Sequence, residues 1–279
     1  MEWLPLIGSA LLSGFVAVLV TLAIERFGGV VGGVLGTLPT TIVPASLGIG
    51  WSDDGAGPVF AAAMATVPVG MLINAGFLWL WRVLPARLPR TDLRTRLTLM
   101  VVLSVAGWAL LAVPTMTLLH AIAAPGVAFA LGAVTLAANA LAGALASRRK
   151  RPAPKGRRPV GPGMLLARGG LAAVAVGLAT AVAQTGDGVL AGVLSVFPAI
   201  FLTTMVGLWL AQDAAVPAGA IGPMMLGSTA VGGYALAVTL VAPWLGIVGG
   251  ALVAWVLAVA LCTLPAFAWL RKTQLRTPG

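Results

Sequence analysis

The chain has 279 residues, 59% apolar and 9% charged, with a net charge of +10 and a mean hydropathy of +1.04. Soluble domains carry roughly a quarter charged residues, so this composition excludes one and describes a polytopic membrane protein. The basic residues lie only in short segments between apolar runs, which argues against a nucleic-acid partner, and a single cysteine (Cys262) and histidine (His120) exclude an internal disulfide and any multi-cysteine or multi-histidine metal site.

A membrane-spanning helix needs about 20 mostly apolar residues, and nine runs qualify. The first, 3–24, is too long for the apolar core of a signal peptide and has no basic stretch before it. It ends in a short turn at Glu25 and Arg26. The second run, 28–50, holds seven glycines and two prolines. Pro39, near its middle, removes a backbone donor and clashes with the preceding turn. Freed backbone groups need partners in lipid, and Thr37, Thr40 and Thr41 supply hydroxyls beside it. The expectation is a broken or kinked helix, enclosed by protein. The third run, 57–81, contains Pro68 and Asn74. The fourth and fifth, 97–118 and 122–146, must be separate, because a single helix over 97–147 would be about 75 Å long; the stretch Pro114–Pro125 supplies the turn. A basic, proline- and glycine-rich segment, RRKRPAPKGRRPVGPG (148–163), follows as a flexible loop. The last four runs are 164–184, 188–210, 216–240 and 245–270.

The second and seventh runs are related. The 33 residues from Gly29 align without gaps on those from Gly188, at a constant offset of 159, with eleven identities. The offset pairs Gly33 with Gly192, Pro39 with Pro198, Gly48 with Gly207 and Asp54 with Asp213. The fold expected is therefore all-α, with about nine transmembrane helices. Spans 1–4 (residues 1–119) repeat as spans 6–9 (residues 164–279), and span 5 (120–147) and the basic loop 148–163 lie between. Five spans separate equivalent positions, so the second copy is inverted. With the N-terminus outside and the C-terminus inside, all 17 basic residues fall on the inner side, as the positive-inside rule requires. Arg168 is counted among these inner charges. The expected location is the bacterial cytoplasmic (inner) membrane.

Internal repeats built on interrupted hydrophobic segments point to transporters, with the substrate near mid-bilayer at the repeat interface. The candidate substrate-binding residues are Thr37, Pro39, Thr40 and Thr41 in the first copy, Ser195, Pro198, Thr203 and Thr204 in the second, and Asn74. Glu25 and its repeat partner Gln184 are the candidates for coupling to a proton or cation. No ionisable residue sits at the centre of a run, so the pathway is expected to be neutral and the solute small and neutral, amphipathic or weakly charged, or a monovalent ion. Asn74 and Asn139 should face the bundle interior, where asparagines join helices. Trp3, Trp51, Trp81 and Trp244, near run ends, read as interfacial anchors.

The repeat unit, with Gly33-x-Leu35-xxx-Pro39 (and Gly192-x-Leu194-xxx-Pro198) in a glycine-rich second span, an acidic turn and a third span carrying Pro68, resembles the small four-span bacterial membrane proteins of the GlpM-like type. In the second half Gly227 replaces Pro68. The resemblance implies that one half corresponds to an ancestral subunit able to pair antiparallel with a copy of itself. An ion or solute channel on the same crossing helices and a non-transporting accessory protein are the alternatives. The chain lacks GxSxG, HExxH and an aspartate pair inside a run, so no enzyme activity is expected, nor a cofactor or metal. The partners expected are the lipid bilayer, a small-molecule or ion substrate and, for the assembly, a homodimer.

Overall fold

The computed structural model describes residues 2–27, 38–89, 91–122, 125–148, 161–212 and 217–275, with side chains at 23–27, 125, 211–212, 217–219 and 273–275 outside the description. All regular structure among them is helical: α1 (Trp3–Phe27), α2 (Ile42–Trp51), α3 (Pro58–Val83), α4 (Leu93–Ala121), α5 (Pro125–Arg148), α6 (Pro162–Ala183), α7 (Gly188–Ser195), α8 (Ala199–Gln212), α9 (Pro217–Gly227), α10 (Thr229–Ala258) and, after a π-helical turn over Val259–Thr263, α11 (Leu264–Leu275). Among the described residues, seven helical stretches are long and apolar enough to cross a membrane. This is a helical membrane protein.

The longest stretch, Ala220–Lys272, is not one straight rod. Gly246 has φ 69° and ψ 169°, a conformation that glycine alone enters cheaply. A Cβ on Gly250 would meet the Cα of Ala242 at 2.6 Å. Residues eight apart in a straight helix are about 12 Å apart, so the chain folds back on itself at Gly246. Proline at 243 removes a donor just before the turn. On the return, Cys262 Sγ lies against Gly233.

Three acids start helices. Asp53 Oδ2 accepts from Phe60 N at 2.7 Å in the first turn of α3. Asp92 Oδ2 accepts from Thr95 N at 3.0 Å at the start of α4, and hydrogen bonds from Thr95 hold its carboxyl below the usual value. Asp187 Oδ1 accepts from Leu190 N at 2.9 Å and caps α7. Each satisfies an amide that a helix N-terminus leaves open.

Contacts fix the helix directions. Along α1, Ser9, Ser13 and Thr21 meet Thr180, Ala172 and Arg168 of α6; numbering rises on one helix as it falls on the other, so the two are antiparallel. Helix α3 runs parallel to α5, with Ala65 against Gly132 and Arg82 bonded to Ala146. Helix α5 runs antiparallel to α9 and the first arm of α10, with Gly222 against Ser147, Gly143 against Leu226, and Asn139 Nδ2 donating to Ser228 Oγ at 3.0 Å. The two ends of the bundle differ. At one, the amide of Glu2 and the side chains of Gln184, Ser52, His120 and Asp187 are hydrogen-bonded. At the other lie Arg82 on Ala146 and Arg96 on Pro85.

Two expectations change. Trp81 is fully buried, edge-on to Trp209 at 5.9 Å between ring centroids, and does not anchor the bundle at the interface; Trp3, Trp51 and Trp244 are exposed. Glu25 belongs to the last turns of α1 rather than to a turn after it, and its side chain lies outside the described residues.

Candidate functional site

Pro198 interrupts a helical stretch, and Pro39 lies in a non-helical segment just before a helix. Residues 38–41 are non-helical and α2 begins at Ile42. Residues 196–198 separate α7 from α8. Pro39 and Pro198 are buried, and Thr40 and Thr41 half-buried. Ile42 and Val196, which flank the two interruptions, belong to one apolar cluster with Val67, Met71 and Tyr234. The two breaks therefore border a common core. Thr37 lies outside the described residues.

The second break is tied down from two helices. Asn74 of α3 donates through Nδ2 to Val196 O at 2.7 Å, a carbonyl freed where α7 ends. Its Oδ1 accepts from Trp108 Nε1 of α4 at 2.8 Å. The ring of Trp108 stands edge-on to Phe197, with centroids 5.2 Å apart. Asn74 is 2% exposed, so its amide is spent on positioning. Close packing makes the approach possible: Gly188 and Gly192 of α7 lie against the backbone of Val59 and Ala63, and any Cβ there would collide with it. Ser195, the last residue of α7, turns its hydroxyl back onto Gly192 O at 2.7 Å.

Thr203 and Thr204 meet a partner that counting charges by loop misses. Arg168, in the second turn of α6, donates through Nε to Thr203 Oγ1 at 3.1 Å and through Nη1 to Thr21 Oγ1 of α1 at 2.6 Å; its Nη2 reaches Thr204 Oγ1 and, at 3.5 Å, Ile200 O. The guanidinium thus spans α1, α6 and the first turns of α8. The signal was its spacing: Arg168 precedes the buried Ala172, Ala175 and Ala179 by 4, 7 and 11 residues, on the stripe that α6 buries.

The sequence offset of 159 relates this cluster to side chains at the other end of the same helix pair. Adding or subtracting 159 turns Arg168 into Ser9 and Thr21 into Thr180, and Ser9 Oγ is 3.0 Å from Thr180 Oγ1. The pair Ala10–Gly177 likewise exchanges with Gly169–Val18, and Ser13–Ala172 exchanges with itself. Gly48 seals the Ser9–Thr180 end, where a Cβ would lie 2.5 Å from Ser9 Oγ and 2.7 Å from Thr180 Oγ1. Its equivalent Gly207 has nothing within 4 Å. Ser9 and Thr21 are twelve residues apart, about 18 Å along α1, less than the roughly 30 Å thickness of a hydrocarbon layer. One end is closed by small residues, the other held by an arginine.

Gln184 bonds to the backbone of Glu2 through both its amide atoms, at 2.9 and 2.8 Å, which spends its side chain on holding the start of α1. Comparison of the chain with protein-family models, curated proteins and solved structures returns no match.

Proposed function

We propose that the protein is a small secondary transporter that moves a small neutral, amphipathic or weakly charged solute, or a monovalent ion, by alternating access between two inverted repeats. In this reading the chain crosses the membrane nine times. The broken span at Pro39 and the fold-back at Gly246 add two crossings to the seven long apolar stretches. The N-terminus is outside and the C-terminus inside a bacterial cytoplasmic membrane, and each half descends from a four-span, GlpM-like unit.

One observation carries the proposal: the contacts between α1 and α6 interconvert under the same offset of 159 that aligns the two sequences. Two copies related by a two-fold axis in the membrane plane, crossing near Ser13 and Ala172, would exchange contacts in this way. Two equivalent halves meeting at such an axis have two equivalent ways to lean, which is the basis of alternating access in inverted-repeat carriers. The breaks at Pro39 and Pro198 then supply the neutral backbone and hydroxyl groups that a weakly charged solute needs. The sealed cluster Ser9–Thr180–Gly48 acts as the outer gate and Arg168–Thr21–Thr203–Thr204 as its inner counterpart. Coupling is assigned to Glu25.

The test is labelling from each side of the membrane. In a Cys262→Ser background, a Thr41→Cys reporter should react with a membrane-impermeant maleimide from either face of oriented proteoliposomes, with each face protected when the opposite gate is held open. Reaction from both faces at once supports a channel. Reaction from neither, under all conditions, leaves a non-transporting accessory protein.

A further inference from the structure

We infer that the groove between α3, α5 and α9 is a binding site for one anionic phospholipid, with an acyl chain along its apolar wall and the phosphate between Arg82 and Arg148. The groove encloses about 790 Å³, within the range of roughly 300–1,000 Å³ typical of small-ligand sites. Leu72, Gly76 and Trp79 of α3 form one wall, Leu145 of α5 the other and Met225 of α9 the floor. Trp79 and Leu145 are 43% and 48% exposed, so the wall opens outward to the apolar surroundings. From Leu72 to Trp79 the wall runs for about 10 Å before it reaches the arginines.

The mouth is what selects the headgroup. Because α3 and α5 are parallel, their last turns finish at the same end and bring Arg82 and Arg148 together. Arg82 is fixed in place: its guanidinium lies over the Trp79 ring at 5.2 Å, and Nη1 donates to Ala146 O at 3.0 Å. That bond also covers a carbonyl at the end of α5. Two helix C-termini would by themselves repel an anion; two arginines outweigh them, and no acid lines the groove. Basic pockets between membrane helices bind anionic headgroups for this reason. A soluble anion would gain nothing from the apolar wall. A second copy of the chain would set like charges face to face. The inference needs only that the helices lie in a bilayer and is independent of transport.

The experiment is native mass spectrometry of the full chain, titrated with phosphatidylglycerol or with phosphatidylcholine of the same acyl chains. Wild type should retain one phosphatidylglycerol in preference to phosphatidylcholine. Arg82→Gln with Arg148→Gln should weaken phosphatidylglycerol on the order of tenfold and leave phosphatidylcholine unchanged. The single Arg148→Gln, at an exposed position, should give a smaller loss in the same direction and serves if the double variant fails to fold. Ala142→Phe, which fills the groove without altering charge, should weaken both lipids. Equal retention of the two lipids by wild type, or an undiminished preference in Arg148→Gln, overturns the assignment.

Discussion

Replacing Asn74 with alanine tests whether the break between α7 and α8 is held from outside. The substitution removes an acceptor from Trp108 Nε1 and a donor from Val196 O, both within 2.8 Å in the native protein. Neither orphan reaches water, because Asn74 and Trp108 are buried at 2% and 7% exposure. Interhelical hydrogen bonds in membranes contribute about 0.6 kcal/mol on average and up to about 1.7, and an orphaned buried group costs roughly 1–3 kcal/mol. Two such bonds give a loss of about 2 kcal/mol, to be read from reversible unfolding in mixed micelles. Trp108→Phe keeps an aromatic ring against Phe197 but removes the N–H together with the five-membered part of the indole, so its cost adds a small cavity to the lost hydrogen bond. The double variant should fall short of the sum by about 0.5–1.5 kcal/mol, since the two residues share a bond. Asn74→Ala within 0.5 kcal/mol of wild type by this scale, or a strictly additive cycle, would refute the argument that Asn74 secures the end of α7.

Three further outcomes follow from the geometry. Gly48→Val should destabilise by about 1–3 kcal/mol through overpacking against Ser9 and Thr180, while Gly207→Ala, its repeat equivalent with open space around it, should stay within about 0.5 kcal/mol of wild type; micelle unfolding compares them directly. Arg168→Lys keeps the charge and loses the fork that joins Thr21, Thr203 and Thr204, so it should lower the same unfolding midpoint and Arg168→Met should lower it further. Gly246→Ala forces a side chain to φ 69° and ψ 169°, a region essentially restricted to glycine, and should cost about 1–3 kcal/mol, whereas Gly249→Ala on the following turn should cost less.

The parts of this molecule visible in its sequence are those that glycine and proline dictate. Pro198 ends a helix as its residue type suggests, yet Pro68 and Pro114 lie inside unbroken helices, so proline marks a candidate break and packing decides it. Gly188 and Gly192 mark close backbone approach. What stayed hidden depends on which way a side chain points. Trp81 sits at a span end like an interfacial anchor, but faces Trp209 in the core, and residue type near a boundary does not distinguish the two. Arg168 sits close to a basic loop and shares its charge, although its spacing from Ala172 and Ala175 puts it on the buried stripe of α6. Asn74 is legible as a polar group needing a partner; that the partner is the carbonyl at position 196, beside Pro198, depends on a contact 122 residues away along the chain. The same holds for the acids. Asp53 and Asp187 lie at span ends, where solvated and capping carboxylates look alike until Phe60 and Leu190 amides are found beside them.

The most direct test of two rocking, antiparallel halves is to lock one gate and watch the other side of the pathway. Ser9→Cys and Thr180→Cys, in the Cys262→Ser background, replace side chains whose oxygens are 3.0 Å apart and should form a disulfide on mild oxidation. With that bond closed, a spin label or maleimide reporter at Thr41 should lose all reactivity from the outer face and keep it from the inner face, and reduction should restore both. Unchanged reactivity from the outer face with the disulfide formed would contradict the account, because the helix pair α1–α6 would then not be the gate.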